Sequence, residues 1–505
     1  MTLKHSLLCG AAAGAVLFAA QPSFAQTAAL KAQIDALQQQ MNAMQQQMQT
    51  LQGQLTDTQA QQQQLKAQAQ PQGQGGQLAP AAPTGAMATM AGHPGICTTD
   101  GRNCLAVTGR IHFDVGDYLE VHPQSKTGPH SLTSGVNARR ARIGVVGKFA
   151  QDWNYALIYD FGGTTDSGSA GINPSGIENA FLSYQGLKPA AFEIGYMDLP
   201  WTMDESMSSN DIPFLERATP GVVATNLAAG DFRSAAGVRA NDDRFWVGAY
   251  VTGPQSGALH SGSNSQQLGA VERAAYQVLQ GPNYSLHIGA DAEQVLTPRA
   301  NGGSNTSIAD TLTFSDRPEL RVDSTTFLTT GAIPAKGAQV YGGELGGTFG
   351  PFFFQGEFYH FMLDQAGQGA GAPRPTLEFD GGYAEAAWAI TGESRPYVPT
   401  AAAYGGIRPA NPVDQGGWGA WEVAARISEI SLNDSVTPGR AQAATGGVFG
   451  GQQTNYTLGL NWYPVNNIRF LLDYVHSDLH KLATNGVTPA GLTIDAVALR
   501  TQVAF

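Results

Sequence analysis

Charged side chains are scarce in this chain. Asp, Glu, Lys and Arg make up 13% of its 505 residues, about half the share found in soluble domains, so a large surface that does not face water is expected. After the N-terminal segment there is no stretch approaching the roughly twenty apolar residues that a spanning helix needs, which leaves an exported soluble protein or a membrane barrel. Cysteine is nearly absent: of three, Cys9 falls in the N-terminal segment, leaving Cys97 and Cys104. Two cysteines so close together in an oxidising compartment point to a small disulfide loop, because a metal site would want more ligands than His93 alone supplies. A net charge of −12 argues against nucleic-acid binding.

What is abundant is glycine, with 62 residues, spread among Tyr and Phe in a way that suits many turns between short strands. The opening "MTLKHSLLCGAAAGAVLFAAQPSFAQ" has Lys4, an apolar run from Leu7 to Ala20 and a small-x-small site at Ser23-Phe24-Ala25, so residues 1–25 read as a secretory signal. Residues 26–67 are glutamine-rich. Leu30, Ile34, Leu37, Met41, Met44, Met48, Leu51 and Leu55 follow spacings of four and three, which predicts an α-helical coiled coil and therefore self-association. A disordered Gln-rich linker is the alternative, since Gly53 interrupts the helix. Residues 68–104 are a Pro/Gly/Ala linker ending in the Cys97–Cys104 loop.

From 105 to 505 the pattern becomes short alternating runs. "WNYALIYDF", "NYTLGLNWYP" and "NNIRFLLDYV" each put aromatic and aliphatic residues on one face, and the chain ends on "LTIDAVALRTQVAF" with Phe505, Val503, Leu499 and Val497 on the greasy side. About seventeen such runs can be placed, the one near 318 being the weakest, and bacterial single-chain barrels have even strand numbers. A soluble β-sandwich would carry charge or Ser/Thr on its outer face. Here the wide faces are apolar, and Arg, Glu, Asp and Gln occupy the opposite one. The fold expected is all-β, a sixteen-stranded antiparallel transmembrane barrel that is apolar outside and polar inside, preceded by the helical coiled coil.

Enzyme chemistry finds little support. "GQGAGAPRP" and "GGTTDSGSAG" do not sit between a strand and a helix, histidines show no metal spacing, and no cofactor motif is present. Two carboxylates meeting from distant strands, as in a glycosidase or esterase, are the enzyme alternative. The informative residues are cations on the wet face. In "NARRARIGVVGKFA" the alternation turns Ala141, Ile143, Val145 and Phe149 to lipid and Arg140, Arg142 and Lys148 inward; in "DFRSAAGVRA" it turns Arg233 and Arg239 inward, and Arg426 and Arg500 follow on later strands. Such arginines either set the field of a pore or pair with wall carboxylates such as Glu422, Glu344, Glu357 or Asp473. Between the strands near 190 and 233, a loop of over thirty residues rich in Pro, Trp and Phe is predicted to fold into the lumen and narrow it.

The blocks "RRARIGVVGKFAQDWNYALIYDF", "ITGESRPY", "WGAWEVAARISEISLND" and "NYTLGLNWYPVNNIRFLLDYV", with the terminal Phe505, resemble the phosphate-selective porin O and P family of outer-membrane channels over most of 105–505. The resemblance implies a homotrimer of sixteen-stranded barrels in outer-membrane lipid, an inward loop and an arginine-lined constriction for a small anion such as phosphate or polyphosphate. Arg140 and Arg142 match the family's basic pair, and Arg217 and Arg233 fall where its loop and next strand supply constriction arginines. Bidentate guanidinium geometry suits phosphate. If the arginines pair instead with Asp204, Glu205, Asp211, Glu216 or Asp231, a general or sugar-permeable channel follows. A third expectation makes the periplasmic coiled coil a tether toward the cell wall. Phe505 would be the aromatic end of the closing strand and the signal read by the assembly machinery.

Overall fold

The structure is a computed structural model, and it describes residues 87–90, 93–125, 132–162, 176–228, 233–255, 266–298, 310–367 and 373–505. The signal segment 1–25, the coiled coil 26–67 and the linker as far as 86 lie outside the described residues.

Sixteen antiparallel strands form a closed barrel. They are β1 (Cys104–Pro123), β2 (Gly135–Phe149), β3 (Trp153–Asp160), β4 (Gly176–Leu187), β5 (Ala190–Met197), β6 (Arg233–Asn241), β7 (Phe245–Gln255) and β8 (Leu268–Gly281). They continue as β9 (Tyr284–Thr297), β10 (Ile333–Phe349), β11 (Phe352–Gln365), β12 (Leu377–Ala389), β13 (Ala420–Asp434), β14 (Val448–Val465), β15 (Ile468–His480) and β16 (Leu492–Ala504). Each pairs with its successor, and β16 returns to β1 with Ala504 opposite Arg110 and Leu492 opposite Pro123. Closure leaves no unpaired edge for hydrocarbon to face. The run near 318 is not a wall strand.

Alternation decides the two faces. Along β1, Leu105, Val107, Ile111, Phe113 and Val115 point outward, while His112 and Asp114 are fully buried inside. One end of the barrel is held by tight turns, such as those between β2 and β3 and between β8 and β9, where an aromatic band gathers: Phe352 stacks on Trp388 and Trp462 on both Trp421 and Phe470. At this end β16 stops short, and the place beside the start of β1 is taken by the antiparallel strand His93–Cys97, with Cys97 opposite Cys104 and bonded to it (S–S 2.04 Å).

The expected polar interior holds only in part. On β8–β16 many inward residues are apolar, including Val271, Val340, Phe361, Phe379, Ile430, Leu479 and Ile494, and they form one buried cluster with loop residues. The partners are a short helix, α1 (Thr219–Ala228), through Val223, Ala224 and Leu227, and the β9–β10 loop through Phe314, Leu320 and Leu328. Folded-in loops give this part of the wall a dry surface to cover, so its inner face is greasy for the same reason as any core.

Candidate pore constriction

The loop between β5 and β6 runs into the barrel. Trp201 and Phe214 are fully buried; Trp201 Nε1 donates to the Ala292 carbonyl (2.8 Å), Leu215 N to Asp473 (2.7 Å) and Asn461 Nδ2 to the Pro213 carbonyl (2.8 Å). These bonds satisfy a backbone that would otherwise lie buried and unpaired. Met203–Ser206 forms a single helical turn capped by Thr202, whose hydroxyl accepts from Glu205 N. Its amides at Met203 and Asp204 donate to Glu357 (2.8 and 3.2 Å), which also accepts from the hydroxyls of Tyr359 and Tyr383 (2.7 and 2.9 Å).

Between this loop and the β1–β2 wall lies a cavity of about 210 Å³, with Arg110, Arg140 and Arg142 on the wall side and Asp198, Glu205, Arg217, Ser208 and Ser209 on the loop side. Arg110 and Arg142 are directly opposed across the β1–β2 ladder. Two like charges so placed need compensation, and Arg142 receives it: Nε donates to Asp160 (2.7 Å) and Nη1 pairs with Glu178. Arg110 makes no ion pair among the described residues, and its Nη1 donates to the Ser209 hydroxyl at 2.7 Å. Arg217 braces the loop itself, donating to the carbonyls of Asp204 and Met207 and pairing with Glu205 at 3.1 Å.

A second set of arginines fixes the loops. A break in register opposite His112 and Phe113 inserts one extra residue in β2, so that Arg139 as well as Arg140 turns inward. Arg139 and Arg500 both donate to Glu216 on the loop, and Arg500 also holds Asp114 (2.7 Å to each oxygen). Burial alone would raise the Glu216 carboxyl, but Arg139 and Arg500 outweigh it and hold it down at about 2. Arg426 clamps Glu319 of the β9–β10 loop (2.6 Å) and donates to the Glu216 carbonyl (3.0 Å). Arg426 and Arg500, inward-facing as the alternation requires, are thus struts.

A third insertion comes from the tight-turn end. Of residues 390–419, between β12 and β13, the middle enters the lumen, with Arg395, Ala402, Ala403 and Tyr404 buried and Trp418 left exposed. Arg395 makes a bidentate pair with Glu422 (2.9 and 2.8 Å) and donates to the Asp211 carbonyl (2.5 Å), joining this segment to the tip of the β5–β6 loop. Arg273, paired with Glu344, donates to the carbonyls of Ala401 and Ala402 (2.9 and 2.8 Å). Tyr404 packs edge-on to Phe353, and its hydroxyl meets Ser285 at 3.0 Å.

Of the cations singled out in the sequence, Arg140, Arg142 and Arg217 meet at the cavity; Lys148, Arg233 and Arg239 do not line it. Lys148 sits at the tight-turn end opposite Cys104 and Asn154. Arg233 is tied to the Gly253 carbonyl (3.0 Å) and Gln267 (2.9 Å), and Arg239 pairs with Glu193 (3.0 Å). Arg110 and Asp198 went unnoticed. Arg110 was within reach, because it shares the inward parity of His112 and Asp114; Asp198 stands just past the end of β5, where alternation stops. Phe505 closes the barrel, exchanging backbone hydrogen bonds with Gly109.

Comparison with known proteins returns one family profile, described as phosphate-selective porin O and P, over residues 105–505. An uncharacterized protein of Caulobacter vibrioides is 26% identical over 385 residues, covering 74% of this chain and 69% of its own. Porin O of Pseudomonas aeruginosa is 25% identical over 429 residues, covering 81% of this chain and 90% of its own. Among solved structures, OmpT of Vibrio cholerae in a trimer form aligns with a TM-score of 0.47 and 13% identity, covering 80% of this chain and 99% of that one.

Proposed function

The chain belongs to the phosphate-selective porin O and P family of outer-membrane channels, and from that premise we propose that it conducts small anions, phosphate among them, past the cavity between β1–β2 and the β5–β6 loop. It is a porin, a channel-forming protein. The observation that carries the anion reading is the charge of the cavity lining, with four guanidinium groups (Arg110, Arg140, Arg142 and Arg217) against two carboxylates (Asp198 and Glu205). In a passage that narrow and partly shielded from bulk water, an excess of fixed cations attracts anions and replaces part of their hydration with N–H donors. The family's description supports phosphate as the anion.

A general or sugar-permeable channel is the competing reading, and one observation favours it: Arg142, Arg217 and Arg239 are already engaged by Asp160, Glu178, Glu205 and Glu193. Reversal potentials of the purified protein in a planar bilayer under a KCl gradient separate the two. Chloride preference, with chloride current reduced by added phosphate, supports the anion reading; cation preference, or no effect of phosphate, removes it.

In the same proposal the working unit is a homotrimer, as the family likeness implies. Residues 26–67 then serve as a periplasmic coiled coil reaching toward the cell wall. Deleting residues 26–95 tests this role: envelope integrity should suffer while conductance persists.

A further inference from the structure

Two charges of opposite sign face the same small cavity, neither of them in an ion pair among the described residues. Arg110 reaches it from β1, and among the described residues its guanidinium has one polar partner, the Ser209 hydroxyl at 2.7 Å. Asp198 reaches it from the first residue beyond β5; its buried Oδ1 meets no donor, and it forms no ion pair among the described residues. The two attract each other across the cavity but form neither a hydrogen bond nor an ion pair, so both keep bonding capacity for whatever occupies the space between them. An unpaired charge in a confined, poorly hydrated site is costly until something of the opposite sign meets it. An inorganic anion satisfies Arg110 and is opposed by Asp198; a neutral solute satisfies neither. A solute with a carboxylate and an ammonium a few ångströms apart satisfies both, and the hydroxyls of Ser208 and Ser209 add neutral hydrogen-bonding capacity around it.

From this juxtaposition we infer that the constriction favours small zwitterions, α-amino acids in particular, over neutral solutes of the same size. The inference rests on the cavity's being part of the conducting path, as in the proposed function. It adds a second solute class to the anions that the surplus of arginines attracts.

The test uses the purified full chain in proteoliposomes, with the membrane potential clamped by potassium and valinomycin. Influx of alanine, lactate, glycerol and ethylammonium, all of similar size, is compared. Alanine should enter about fivefold faster than glycerol, the effect of one modest charge-pairing interaction. Asp198→Asn should bring the alanine-to-glycerol ratio close to one while raising lactate influx. Arg110→Gln should lower both alanine and lactate. Alanine no faster than glycerol through the unaltered barrel overturns the inference, and that arm requires no substitution that could impair assembly. An unchanged alanine-to-glycerol ratio in correctly assembled Asp198→Asn barrels overturns it too. The lactate-to-ethylammonium ratio reports separately on the anion reading, so either idea can fail while the other stands.

Discussion

Arg139 grips Glu216 through two parallel hydrogen bonds, Nε to Oε1 at 2.8 Å and Nη2 to Oε2 at 2.9 Å, with both side chains almost fully buried. The pair joins the barrel wall to the inward loop at the same carboxylate that Arg500 holds from β16. Removing one partner of a buried pair leaves a charge stranded, at a cost of about 3–5 kcal/mol. Glu216→Ala should therefore loosen the β5–β6 loop while the outer wall persists. Single-channel recordings should show larger and noisier conductance, and unfolding of the extracted barrel should shift to lower temperature. Steps indistinguishable from those of the native channel would mean that the loop is held elsewhere.

The same pair sets a pH limit. Glu216 titrates near 2 in the folded barrel, against 4.5 for an unperturbed glutamate. Because the folded value is depressed, the stabilisation is fully present above 4.5 and disappears as pH falls toward 2. Conductance noise should stay flat from neutral pH to about 4 and rise below that, and Glu216→Gln should already be noisy at neutral pH.

Selectivity should depend unequally on the arginines. Arg110 has no carboxylate partner among the described residues, whereas Arg142 is shared between Asp160 and Glu178. Arg110→Ala should lower the chloride-to-potassium permeability ratio several-fold. Arg142→Ala should change it less and weaken assembly more, since it leaves two wall carboxylates unpaired. Lys148→Ala, at the tight-turn end, should have a small effect. Reversal potentials rank the three.

The strands and their faces were legible because a barrel wall imposes a period of two over long stretches, with lipid on one side throughout. The terminal run shows this: Leu499 is exposed to the outside and Arg500 fully buried. The pattern misled where its assumption failed. An extra residue in β2 turned Arg139 inward against simple alternation, and no feature of "NARRAR" marks the bulge. The inner face opposite α1 and the β9–β10 loop is apolar where a polar interior was expected, because Phe361 and Phe379 serve a core made with segments remote in sequence. The β5–β6 loop was visible from its length and aromatic content. The 390–419 insertion was not, since the "TGESRPY" block carries Arg395 without any sign of its partner, Glu422.

That insertion yields a further prediction. Its contacts with Glu422, Arg273 and the Asp211 carbonyl place it inside the lumen from the end opposite the long loops. Replacing residues 392–419 by a two-residue Asn-Gly turn should preserve the β12–β13 pairing, which sets Ala389 opposite Glu422, and open the passage. Conductance should rise severalfold while ion preference moves toward neutrality, as bulk-like water screens the remaining arginines. Unchanged conductance would place the narrowest point wholly within the β5–β6 loop.

The closing seam offers the last test. Phe505 N donates to the Gly109 carbonyl (3.0 Å) and Gly109 N to the Phe505 carbonyl (2.9 Å), so the final residue completes the ring of strands. Its aromatic ring lies over Gly109, where a β-carbon would come within 2.5 Å of the ring's Cζ. Gly109→Val should therefore force the ring off its seat and lower the fraction of barrel that reaches the outer membrane. Deleting Phe505 should lower it further, because both backbone bonds go with the ring. Heat-modifiable mobility of the membrane fraction measures the assembled share. If the deletion assembles as well as the full chain, the terminal aromatic is neither the assembly signal nor a needed packing contact, and any defect of Gly109→Val then belongs to the added valine itself.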